Sequence, residues 1–133
     1  DLIKEMEMEG MYHLARMEDM TFYDNVIKRG GALFYNAPAM IVIPVDLKGG
    51  NYPLVDCGIL CQTIALAATS LGLGNVICGL TRLAFIEPEK SAEFKTRLGF
   101  PDGYGFGCSV LLGYPKSTKE PHVPDKNKII YVE

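Results

Sequence analysis

The sequence predicts a mixed domain of helices and buried strands. Three observations carry that reading. Two apolar runs, Ala39–Val45 and Phe106–Leu112, are long enough for strands and lack helical spacing. Stretches of helical periodicity flank them, and Gly or Pro stands where one pattern gives way to the next. The chain has 133 residues, 48% of them hydrophobic and 22% charged, the size and composition of one packed domain spanning 1–133.

The elements follow in order. Asp1–Met17 reads as a helix, with apolar positions at Leu2, Met6, Met11 and Leu14 and Gly10 as its weak point. The methionines crowded here suit flexible core or interface filling better than a metal. Thr21–Lys28 reads as a second helix, with Thr21 placed to cap it and Gly30-Gly31 to stop it. Ala39–Val45 shows no alternation, the mark of a central strand covered on both faces, and Pro44 falls where a strand reaches an edge or ends. Lys48–Pro53 reads as a loop.

Asp56–Leu71 is the strongest helix signal, with Asp56 as cap and Gly72 and Gly74 beyond its end. From Gly58 to Ser70 it carries no charged residue. A helix that is apolar on every side must be buried on every side, and a domain this small has little room to enclose one. We therefore expect an obligate dimer, with Gly58, Ala65, Ala67, Ala68 and Ser70 permitting close packing. Asn75–Cys78 reads as a short strand. Glu87–Leu98 reads as an amphipathic helix begun by Pro88, closed by Gly99 and turned inward at Phe94 and Leu98. Pro101-Asp102-Gly103 is a turn before the buried strand Phe106–Leu112. Tyr114–Lys128 is polar, and the terminal Ile129–Val132 is ordered only if it docks on something.

Composition excludes some functions. A net charge of −3 argues against nucleic acid. The apolar runs read as too short or too broken for a membrane span, and no signal-peptide pattern is visible. The four cysteines, Cys57, Cys61, Cys78 and Cys108, form no CxxC pair and have no histidine nearby, so neither zinc nor a disulfide framework is expected. Reduced thiols suit the cytoplasm. There are two histidines and no GxSxG, HExxH or Walker loop. Gly72-Leu73-Gly74 fails as a dinucleotide fingerprint because it follows a helix. Cys57 and Cys61, four apart in an apolar helical stretch, read as two small core residues on one helix face. Any enzyme here leans on a cofactor, unless Cys57, Cys61 or Cys78 is a reactive thiol, for which the place of Cys57 near a helix start is the one hint.

An ordered set of segments resembles the nitroreductase family of flavoproteins: Phe34-Tyr35-Asn36-Ala37-Pro38, Val55-Asp56-Cys57-Gly58, Ala65–Asn75, Val76-Ile77-Cys78-Gly79-Leu80, Leu98–Tyr104 and Leu111-Leu112-Gly113-Tyr114-Pro115. The resemblance covers most of the chain from about Phe22 onward. It implies an α+β fold with a mixed sheet flanked by helices, an intertwined homodimer, and FMN held at the dimer interface. It implies ping-pong chemistry in which NAD(P)H reduces the flavin and a nitroaromatic, quinone or related small-molecule acceptor takes the electrons. Asn36 matches the asparagine that bonds the flavin's pyrimidine edge; as a residue it reads equally as a turn former before Pro38. Val76, Ile77, Cys78, Gly79 and Leu80 match the segment crossing the flavin, where a backbone N–H meets N5 and a small Gly79 permits close approach. The Cys78 thiol either tunes the flavin or packs. Lys126 and Lys128 match a late basic pair on the FMN phosphate, and read alone they are solvated lysines. Phe34 and Tyr35 border the substrate space or belong to the core. The family's opening Arg-Arg-Ser-x-Arg stretch has no counterpart, and the chain begins at Asp1. We therefore expect an N-terminally truncated domain, with a non-catalytic protein that dimerises and binds flavin weakly or not at all as the alternative.

Overall fold

The structure is a computed structural model that describes residues 1–118 and 120–132. Its helices end where local chemistry requires. Asp1 caps the first helix, α1 (Leu2–Leu14), by accepting the Ile3 N–H at 3.1 Å. α2 (Thr21–Lys28) ends on Gly30 and Gly31, both at positive φ. The Gly30 N–H bonds Ile27 and the Gly31 N–H bonds Val26, closing the last turn. α3 (Pro53–Ser70) ends the same way at Gly72, and α4 (Pro88–Arg97) at Gly99.

Two helix starts differ from the sequence expectation. Thr21 does not cap α2; the Asp19 carboxylate accepts the Thr21 N–H at 2.9 Å instead. Asp56 lies inside the first turn of α3, which begins at Pro53 with Tyr52 before it. Proline fits a first helical position because its missing N–H is unneeded there. Asp56 still complements the positive end of the helix.

The strands are β1 (Ala39–Asp46), β2 (Gly74–Ile77) and β3 (Tyr104–Gly113), in the order β1-β3-β2, with both ladders antiparallel. β3, not β1, is central. β1 is an edge strand, and its register slips between Ile43 and Pro44, where proline has no N–H to give. Its unbroken apolar run serves both faces rather than a central place: Met40 and Val42 pack on the side of α1, Ile43 and Val45 on the side of α3. Strand order is set by non-local pairing, which composition does not encode.

The larger core joins Met6 and Leu14 of α1, Val26 of α2, Leu33, Phe34, Leu83, Phe94 of α4 and Leu111 of β3. Gly10 sits at a close approach: a Cβ would sit 2.7 Å from Leu33 Cδ2, so a larger residue there would push that buried side chain aside. The smaller core lies on the opposite face, where Cys57 and Cys61 of α3 meet Ile43, Val45 and Val110. Between β2 and α4 a 3₁₀ helix over Gly79–Phe85 carries Thr81, Leu83 and Ala84 into the interior. Ile129–Val132 is exposed throughout among the described residues.

α3 is also longer than the sequence suggested. Its 18 residues average a hydropathy of 1.3, enough by length and composition to cross a membrane. The same test is passed by apolar helices of soluble cores, and α3 lies against the sheet through Cys57, Cys61 and Ala68.

Candidate functional site

Two segments matched to the flavin border one buried cluster. The first is the turn before β1. Phe34 is buried, and its N–H donates to Glu7 Oε1 at 2.8 Å, tying the turn to α1. Tyr35 and Asn36 follow at φ 56° and 54°, a left-handed conformation uncommon for residues other than glycine. Arg29 steadies the turn: its guanidinium lies 3.9 Å over the Tyr35 ring, and it donates to Tyr35 Oη at 2.6 Å and to the Leu33 carbonyl at 3.2 Å. Asn36 is exposed.

The second segment leaves the sheet at the far end of β2. Val76 and Ile77 are 41% and 46% exposed, a large fraction for apolar strand residues. Cys78 is buried among Leu33, Phe34, Leu83 and Leu111, so the thiol packs. Gly79 is exposed, and a Cβ there would meet nothing within 4 Å. Leu80 is half-buried against the same core.

Lys126 and Lys128 sit on an exposed 3₁₀ turn where Asp125 accepts the Asn127 N–H at 3.1 Å. Among the described residues, no hydrogen bond or ion pair joins these lysines to Asn36 or to Val76–Leu80. Two surface grooves lie elsewhere, one bounded by Pro44, Asp56, Leu60 and Tyr104, the other by Glu9, Glu87, Glu89 and Glu93. Within a single chain, Val76 and Ile77 form an open apolar surface, and the lysines stand apart from it.

Sequence reasoning missed two residues beneath that surface. Thr81 and Ser109 are wholly buried, with their hydroxyl oxygens 2.7 Å apart, and Ser109 Oγ donates to the Cys78 carbonyl at 3.0 Å. The available signal was two hydroxyls standing beside apolar runs, where each requires a partner.

The thiols do not form a reactive centre. Burial pushes Cys57, Cys61 and Cys108 above their ordinary value, which keeps them protonated at neutral pH. Cys57 lies in the fifth position of α3, buried, so the helix-start argument for its reactivity fails. Among the described residues no cluster of three or more His, Cys, Asp or Glu is arranged to hold a metal ion.

The model of the nitroreductase family matches residues 3–114. The chain belongs to the nitroreductase family. A nitroreductase from Desulfitobacterium hafniense DCB-2, solved with bound FMN, is 61% identical to it; the match covers 99% of this chain and 70% of that one, with a TM-score of 0.94. A nitroreductase from Bacteroides fragilis NCTC 9343 shares the fold at 22% identity, covering 99% of this chain and 71% of that one, with a TM-score of 0.83. A protein of Archaeoglobus fulgidus, provisionally named an NADH dehydrogenase/NAD(P)H nitroreductase, is 33% identical over 99 residues, 71% of this chain. The chain spans 55% of the length of that relative. The α+β class agrees with this membership.

Proposed function

We propose that this protein is an FMN-dependent oxidoreductase. It takes electrons from NAD(P)H and passes them to a nitroaromatic, quinone or related small-molecule acceptor in a ping-pong cycle. The observation that carries the reading is the family match over residues 3–114, and the similar Desulfitobacterium hafniense protein has bound FMN.

The residues fit a flavin ring. Its flat apolar body suits the exposed Val76 and Ile77, and the bare backbone at Gly79 leaves room for close approach. Its pyrimidine edge both donates and accepts hydrogen bonds, and the Asn36 carboxamide offers both. Lys126 and Lys128 are exposed cations suited to the phosphate. Bound FMN supplies the electron and hydride transfer. The chain's part is to place the ring, exclude water from one face and present an N–H at its edge, so no side-chain acid or base is required.

A homodimer completes the site on this reading. Leu54, Ile59 and Leu66 of α3 are each more than 60% exposed in one chain, and a second copy would cover them. The tail Ile129–Val132 would reach the partner. Nucleic acid and membrane play no part, and the protein works in the cytoplasm.

The deciding test is the visible spectrum of the purified protein with added FMN, followed by anaerobic NADH or NADPH. A bound flavin band that bleaches supports the reading. A colourless protein that ignores FMN overturns it and leaves a non-catalytic, dimerising member of the family.

A further inference from the structure

The buried hydroxyl pair beneath β2 fixes the direction of one backbone donor. Thr81 and Ser109 are 0% exposed, and no buried side-chain polar atom among the described residues lacks a partner. Each hydroxyl has a single proton. Ser109 gives its proton to the Cys78 carbonyl at 3.0 Å, so the 2.7 Å contact is Thr81 donating to Ser109. The order of donation is therefore Thr81 to Ser109 to the Cys78 carbonyl.

That carbonyl and the Gly79 N–H belong to one planar trans peptide and point in opposite directions. Drawing the carbonyl inward turns the N–H outward. Gly79 is exposed, open space surrounds the place of a Cβ, and its N–H has no acceptor among the described residues. The neighbouring Cys78 N–H is not available, because it donates to the Ser109 carbonyl at 2.8 Å. Ser109 thus holds both sides of Cys78, with its backbone oxygen on one and its hydroxyl on the other.

We propose that Ser109, backed by Thr81, is a positioning residue for the flavin: it aims the Gly79 N–H at N5 of FMN. Polarising the Cys78 carbonyl also makes the N–H of the same peptide a stronger donor, because linked hydrogen bonds reinforce one another. The proposal rests on the FMN reading above. It assigns a reason for two buried hydroxyls in a core otherwise built of Leu33, Phe34, Leu83 and Leu111.

The test compares Ser109→Ala, Thr81→Val and Thr81→Ser with the wild type. Three quantities are read: FMN affinity by flavin fluorescence, the reduction potential of the bound flavin, and the Gly79 amide resonance of the flavin-free protein. Loss of one well-placed hydrogen bond weakens FMN binding about five- to tenfold in Ser109→Ala. The potential and the Gly79 resonance shift with it. Thr81→Val, which keeps the shape and removes the donor, moves all three less and in the same direction. Thr81→Ser, which keeps the hydroxyl, stays near the wild type. An unmoved potential and Gly79 resonance in Ser109→Ala overturn the proposal. So does a Thr81→Ser variant as impaired as Thr81→Val. If Ser109→Ala does not fold, the Thr81 pair decides by the same criteria. A wild type that binds no FMN overturns the flavin reading and this proposal together; one that binds FMN with an insensitive Ser109→Ala overturns the proposal alone.

Discussion

The two faces of the sheet are finished to different degrees. On one, α1, α2, α4 and the 3₁₀ segment enclose Met6, Leu14, Phe34, Leu83 and Phe94 within a single chain. That face is trimmed with polar contacts, including the Arg97–Glu5 pair and the Phe34 N–H to Glu7 bond. On the other, α3 covers the sheet with Cys57, Cys61 and Ala68 but turns Leu54, Val55, Ile59, Leu60 and Leu66 outward. From Gly58 to Ser70 α3 carries no charged residue, and Asp56 in its first turn is its one charge. A largely apolar outer surface is the composition of an interface that expects cover.

The contrast can be broken on the finished face first. Phe94→Ala empties a site only 2% exposed and should cost about 3–5 kcal/mol of stability in denaturant unfolding. A loss near zero would mean that α4 is not part of the cooperative core. On the unfinished face, Ala67→Glu places a charge on the exposed side of α3. It should leave the chain folded and weaken dimer association by about 3 kcal/mol, the cost of burying an unpaired charge. Light scattering that reports an unchanged dimer would remove α3 from the interface.

Smaller effects sharpen the comparison. Replacing Lys126 and Lys128 with Ala should weaken FMN binding by about 1 kcal/mol each at low salt, because both are solvent-screened. An unaltered FMN titration would return them to the solvated surface. The smallest effect is electrostatic. Hydrogen bonds from Arg97 hold the Glu5 carboxyl down to about 2 from an ordinary 4.5. A group depressed on folding contributes stability above its unfolded pKa, and that contribution fades as pH falls from about 4.5 toward 2. Glu5→Gln should therefore flatten the fall in Tm across that window and leave Tm at pH 7 slightly lowered. The pair is exposed, so a steep change in either limb would point to a different group.

Helix ends were legible to the extent that their chemistry is local. Gly30, Gly72 and Gly99 each take a positive φ that few other residues accept, and each ends a helix as expected. Helix starts were less legible. Whether Thr21 or Asp19 serves α2 depends on the path of the loop, and α3 begins at a proline that read as loop. The 3₁₀ helix at Gly79–Phe85 went unread because it is too short to show a period. Asn36 and Val76–Leu80 are candidates by resemblance alone. Thr81 and Ser109 were found by geometry, since 28 positions separate two hydroxyls that meet at 2.7 Å.

The sequence by itself determined the four α-helices and three strands, the glycine stops, the uncharged run from Gly58 to Ser70 and the family. Those properties follow from near neighbours along the chain, from overall composition or from ordered motifs. Only the tertiary structure decided that β3 is central and β1 an edge. It also decided that the Cys78 thiol is buried in the larger core and that one buried serine faces the Cys78–Gly79 peptide. Strand order and hydroxyl pairing join residues far apart in sequence, and no local preference specifies which partner each will meet.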